Sequence, residues 1–138
     1  MTERFHRTFE AGQTAVVTGA ALGIGRALAR DLAARGMRVF AVDVDEAELA
    51  KTAAEADGAI TAVVADVSDY ARMKALADQT GPIRFLANNA VTRLGRGFDA
   101  PLDTWRQAVC GPSCVGQPLS NAINAVVHGE PRISRSRA

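Results

Sequence analysis

A chain of 138 residues, 48% hydrophobic and 22% charged, has the length of one domain and the composition of an ordinary globular protein. A net charge of +1 leaves no basic excess for nucleic acid or an anionic membrane surface, and no uninterrupted apolar segment is long enough to span a bilayer. The first ten residues carry two arginines, a histidine and two glutamates instead of a signal-peptide core, so the expected location is the cytoplasm.

Residues 1–12 read as a polar lead-in ending at Gly12. The apolar run Thr14-Ala15-Val16-Val17 predicts a first strand from about Gln13 to Thr18. It leads through Thr18-Gly19-Ala20-Ala21-Leu22-Gly23-Ile24-Gly25 into a helical pattern with Ala27, Leu28, Leu32 and Ala33, stopped after Arg35 by Gly36. Arg38-Val39-Phe40-Ala41-Val42-Asp43 fits a buried parallel strand. Asp45 is placed to cap a helix over Glu46 to Ala56, which Gly58 ends. A third strand, Ile60 to Ala65, runs into Asp66-Val67. Ser68 or Asp69 caps a third helix with Met73, Leu76 and Ala77 on one face, stopping near Gly81-Pro82. The fourth strand is Ile83 to Ala87, ending at Asn88-Asn89-Ala90-Val91. A loop over 91–101 precedes a helix around 102–109. This alternation predicts right-handed βαβ units: an α/β, Rossmann-like doubly wound parallel sheet covered by helices on both faces. The expected organisation is a domain over 13–109 followed by a divergent, partly disordered tail over 110–138.

The chemistry-bearing positions fall at strand ends, where open α/β sheets bind ligands. A glycine-rich turn at a helix N-terminus lets backbone N–H groups and the helix dipole meet a diphosphate. The simpler alternative is a tight turn without a ligand, but three glycines within seven residues between a strand and a helix favour the diphosphate. Asp43 lies eighteen residues after Gly25, near the spacing of roughly 20 at which an acidic residue accepts a hydrogen bond from a ribose 2′-hydroxyl. Taken alone, Asp43 would read as a cap or a solvated carboxylate. Coupled to the glycines it selects NAD over NADP, because it would repel a 2′-phosphate. No Gly-Lys-Ser/Thr follows the glycine turn, which disfavours phosphoryl transfer. Cys110 and Cys114 are too few for a disulfide framework and lack companion metal ligands, so no metal site is expected.

In these motifs the chain resembles the short-chain dehydrogenase/reductase family. The resemblance rests on Thr18-Gly19-x-x-x-Gly23-Ile24-Gly25, the acidic strand end at Asp43, Asp66-Val67 and Asn88-Asn89-Ala90, in family order, with Trp105 in a later helix. It implies a dinucleotide-binding site in which Gly19, Leu22, Gly23, Ile24 and Gly25 surround the diphosphate. By the same resemblance Asp43 holds the ribose, Asp66 and Val67 contact the adenine, and Asn89 and Ala90 border the cofactor and stabilise the central strand. Val91 stands where the family most often has glycine, which narrows backbone freedom there.

The resemblance covers about Gln13 to Val109. Family members run to about twice this length and carry, in their second half, a serine and a Tyr-x-x-x-Lys that perform proton transfer. Here Tyr70 is the only tyrosine, and Lys51 and Lys74 are the only lysines. Tyr70-Ala71-Arg72-Met73-Lys74 fits Tyr-x-x-x-Lys literally and puts both side chains on one helical face. Its helix follows the third strand, on the adenine side, so it is read as packing tyrosine and solvated lysine; no catalytic residue is assigned. Residues 123–129 fit a fifth strand, or Asn124 is a displaced helix asparagine; His128 has no recognisable partner.

Three readings follow. One is an NAD-binding domain of a family that transfers hydride to or from an alcohol or carbonyl substrate, catalytically incomplete as written. Another is a non-catalytic cofactor-binding or interaction module. The last is an altered-end fragment of a longer enzyme, truncated to four or five strands, whose uncovered apolar sheet surface would favour homo-oligomers.

Overall fold

The computed structural model describes residues 9–91, 99 and 101–105. Residues 1–8, 92–98, 100 and 106–138 lie outside it, and with them Cys110, Cys114, the segment 123–129, His128, the whole of the expected tail and most of the lead-in.

Seven elements alternate: β1 (Thr14–Thr18), α1 (Gly23–Ala34), β2 (Arg38–Asp43), α2 (Glu46–Ala54), β3 (Ile60–Val64), α3 (Tyr70–Thr80) and β4 (Phe85–Ala87). Residues 102–105 begin a further helical turn, within the stretch expected to be helical. The strands form one parallel sheet in the order β3-β2-β1-β4. The first two crossovers step outward on one side of β1, and the third carries the chain across to its other side. The direction of winding therefore reverses between β1 and β4, the place where such sheets open a crevice at their carboxyl ends.

Strand alternation assigns side chains to two cores. Ala15, Val17, Val39, Ala41 and Ile60 pack with Ala29 and Leu32 of α1 and Leu49 of α2. Val16, Val42 and Val63 pack on the opposite face with Met73, Leu76 and Ala77 of α3. The expected doubly wound Rossmann-like architecture is the one found. Every residue of β1 is buried, as a strand with helices on both faces requires. Edge strand β3 is buried only at Ile60 and Val63.

Local signals set the ends. Gly36 adopts φ +83° after α1, and Gly81 adopts φ +66° as the C-cap of α3. Asp45 accepts from the Glu48 N–H and Asp69 from the Arg72 N–H, capping α2 and α3. Of the two residues expected to cap α3, Asp69 does so, whereas the Ser68 hydroxyl donates to Asp66 at 2.7 Å. Tyr70, expected to pack, is instead 60% exposed. It occupies the first position of α3, one turn before the buried stripe of Met73, Leu76, Ala77 and Thr80 begins. Lys74 is solvated as expected and pairs with Asp78 at 3.0 Å.

Leu49 is fully buried between α2 and the sheet. Leu49→Ala is expected to cost about 2–5 kcal/mol, read from the midpoint of a urea unfolding curve at unchanged slope.

Candidate functional site

The glycine turn between β1 and α1 is built by close backbone approach. A Cβ on Gly25 would lie 2.0 Å from the Gly19 carbonyl oxygen and 2.7 Å from Asn89 Nδ2. Gly19 has φ +68°, and a Cβ there would come within 2.9 Å of Ala90 Cα. These two glycines are therefore required by packing. Gly23 differs: its φ of +55° suits glycine, yet nothing lies within 4 Å of where its Cβ would be. The backbone at Gly23 faces open space.

The N-cap of α1 is Leu22, in extended conformation, with no side-chain cap. Helices α2 and α3 receive aspartate caps, so of these three helices α1 is the one whose positive end is left without a side-chain cap. Leu22 is 48% exposed and Ile24 79% exposed, two large apolar side chains flanking that end.

Two polar joints hold the turn against the sheet. At β4, the buried Thr18 hydroxyl donates to the Ala87 carbonyl at 3.2 Å and accepts from the N–H groups of Asn89 and Ala90, each at 3.1 Å. Asn89 Nδ2 returns the connection by donating to the carbonyls of Thr18 and Gly19 at 3.3 and 3.2 Å. At β2, Asp43 accepts from the Ala21 N–H at 2.9 Å through Oδ2 and from the Asp45 N–H at 3.1 Å through Oδ1. Its carboxylate thus ties the strand end to the glycine turn. Each oxygen retains acceptor capacity, because a carboxylate offers about four lone-pair sites.

A cleft of about 310 Å³ opens at these strand ends, lined by Gly19, Val42, Asp43, Val44, Ala65, Asp66, Val67, Ala90 and Val91. Five of the residues singled out from the sequence, Gly19, Asp43, Asp66, Val67 and Ala90, meet there. Leu22, Gly23 and Ile24 form an exposed shoulder outside that lining, Gly25 is buried, and Asn89 is spent on the joint to the turn. Asp66 Oδ1 accepts from both the N–H and the hydroxyl of Ser68, at 2.8 and 2.7 Å. The Ser68 backbone N–H first, and its hydroxyl second, hold the Asp66 carboxyl below its ordinary value.

Three residues of the site's framework were not singled out from the sequence. Thr52 of α2 is fully buried and joins Arg26 of α1 to the Ala20 carbonyl, and Arg26 in turn pairs with Glu48 at 2.7 Å. The available signal was position: Leu49, Thr52 and Ala53 share one helical stripe, so a hydroxyl among apolar residues needs a buried partner. No helix among the described residues is long and apolar enough to cross a membrane, and no group of three metal-ligating side chains occurs among them.

A family model for short chain dehydrogenase matches residues 13–110. A galactitol 2-dehydrogenase (L-tagatose-forming) of Cereibacter sphaeroides is 38% identical over 103 residues, which cover 71% of this chain and 41% of that protein. A short-chain dehydrogenase/reductase of Burkholderia phymatum, solved in complex with NAD, superposes with a TM-score of 0.71 at 33% identity, covering 85% of this chain and 44% of the other. A metagenomic short-chain oxidoreductase in complex with NADP gives a TM-score of 0.75 at 28% identity over 88% of this chain and 58% of its own. The chain thus spans less than two thirds of the length of each of these relatives. With the model match extending over most of its length and the same sheet in its solved neighbours, the chain belongs to the short-chain dehydrogenase/reductase family of oxidoreductases.

Proposed function

We propose that the cleft at the carboxyl ends of β1, β2, β3 and β4 binds NAD in preference to NADP. The observation that carries this reading is the convergence of Gly19, Asp43, Asp66, Val67 and Ala90, from four separate stretches of chain, on one cleft beside an uncapped helix N-terminus. The residues fit a dinucleotide. Gly23 leaves room for a diphosphate to approach the backbone, and the N-terminal turn of α1, from Leu22 to Gly25, supplies the positive end of a helix dipole. Asp43 accepts from the ribose hydroxyls. Asp66 and Val67 meet the adenine, with Asp66 Oδ2 left outside the pair of bonds from Ser68. Asn89 and Ala90 border the cofactor behind the turn. Two carboxylates line the cleft, and among the described residues lining it none is lysine or arginine, so a 2′-phosphate would meet repulsion without a compensating cation.

When bound, the nicotinamide supplies or accepts a hydride. Exchange of that hydride with an alcohol or carbonyl carbon also needs a proton donor or acceptor at the substrate oxygen, typically worth about 10²- to 10⁴-fold in rate. Tyr70 and Lys74 are exposed on α3, at 60% for the tyrosine, and Lys74 is engaged by Asp78. We assign neither a catalytic role. The 138 residues by themselves serve to bind the dinucleotide and turn over little, and a second reading follows from the same observation: a cofactor-binding module without a reaction of its own.

Calorimetric titration is expected to show saturable NAD binding, tighter than NADP. Asp43→Ala should weaken NAD and shrink its advantage over NADP; an unchanged preference would remove the ribose assignment. The acid limb tests Asp66. Its folded value lies below its ordinary 3.8, so it contributes stability that is complete above that value and lost as pH falls through the lowered one. Ser68→Ala is expected to move the Asp66 titration, followed by carbon-13 NMR, back up toward 3.8 and to bring acid unfolding to higher pH.

A further inference from the structure

We infer that Thr52 is a positioning residue for the diphosphate, acting through the Ala20 carbonyl and Arg26; this rests on the reading that the cleft and its glycine turn hold a dinucleotide. Thr52 is 0% exposed and is not one of the residues that line the cleft. Its hydroxyl has one proton to give. Arg26 Nε donates to Thr52 Oγ1 at 3.0 Å, which occupies the oxygen's acceptor side and turns the proton toward a carbonyl. The nearest is Ala20 O at 3.1 Å, with Glu48 O at 3.2 Å and Ala21 O at 3.4 Å as the other acceptors in reach.

The Arg26 guanidinium is itself fixed. It donates to the Glu48 carbonyl at 3.1 Å and pairs with Glu48 Oε2 at 2.7 Å, while Lys51 engages the other oxygen of the same carboxylate. The Arg26 backbone N–H also donates to the Leu22 carbonyl at 3.3 Å, the bond that starts α1. One network anchored in α2 therefore grips the glycine turn at two points, at Ala20 near its start and at Arg26 just past its end. The exposed segment from Leu22 to Ile24 hangs between these two anchors.

From the side of β2, the Ala20 N–H donates to the Val42 carbonyl at 3.2 Å and the Ala21 N–H to Asp43. Residues 20 and 21 are thus clamped from two sides, with the Ala20 carbonyl held against buried Thr52. Carbonyl oxygens repel an anion and N–H groups attract it. Fixing the Ala20 carbonyl in the interior keeps a partial negative charge off the surface that a diphosphate would approach, and holds the α1 N-terminus in place before binding. Pre-ordered donors bind more tightly because less ordering remains for the ligand to impose.

The test is titration of the full chain and its Thr52→Val and Thr52→Ser variants with NAD, ADP and adenosine, alongside thermal unfolding. Thr52→Val keeps the volume and removes the hydroxyl. It is expected to weaken NAD and ADP by about tenfold, the scale of one lost buried hydrogen bond. Adenosine, which lacks the diphosphate, should bind as to the wild type, and Thr52→Ser should restore NAD and ADP binding. Arg26→Gln, at the partly exposed end of the network, provides a second variant should Thr52→Val fail to fold, and should show the same selective loss. Equal affinity of a folded variant for ADP, or a loss that includes adenosine to the same degree, would overturn the positioning role. Failure of the wild type to bind NAD or ADP would instead overturn the dinucleotide reading, and this inference with it.

Discussion

Two backbones approach so closely at Gly19 and Gly25 that a single methyl group between them would sit 2.0 Å from a carbonyl oxygen. That contact sets where α1 begins relative to β1, and with it the direction in which the positive end of the helix points. Everything around the site follows from keeping this approach intact. Thr18 and Asn89 lock the turn to the end of β4 by reciprocal hydrogen bonds, and Asp43 locks it to β2. The sheet alone would hold its strands parallel, but these side-chain bonds fix the relative heights of β1, β2 and β4, three of the four strand ends that border the cleft.

Both carboxylates at the cleft are built into the structure by hydrogen bonds of their own. Asp43 uses one lone pair of each oxygen on backbone N–H groups and retains acceptor capacity on both. Asp66 is held ionised by Ser68, whose two donors converge on one oxygen. A carboxylate with its rotamer fixed in this way presents a defined acceptor at little further entropic cost. A substitution at Asp43 therefore disturbs the β2-to-turn joint whatever else it does, and the proposed ribose contact is read from the ratio between two dinucleotides.

Much of the fold was readable because periodicity and punctuation agreed. Arg38–Asp43 is the strand its apolar run predicts, and Asp45, Gly36 and Gly81 act as the caps and stops their chemistry suggests. The differences have local causes. Helix α2 ends at Ala54, two residues before its expected end, with a turn that includes Asp57 at φ +44°. The ladder of β4 covers only Phe85–Ala87, although Ile83 is buried and was expected to belong to it. Burial of an apolar side chain and membership of a strand are separate properties, and periodicity reports only the first.

The order of elements, the parallel winding, the glycine turn and the strand-end positions of Asp43, Asp66 and Asn89 are all written into the order of residues, because each depends on short-range sterics or on the alternation of apolar residues. Which glycine is required by packing and which faces open space emerges with folding, since that depends on atoms brought together from distant parts of the chain. The tertiary structure also gave Asp43 and Asn89 their backbone partners and tied Thr52 to the turn. A hydroxyl in the stripe of a helix announces that it needs a partner, but not that the partner is a carbonyl 32 residues earlier. Long-range hydrogen bonds leave no periodic trace, and here they are the ones that hold the site.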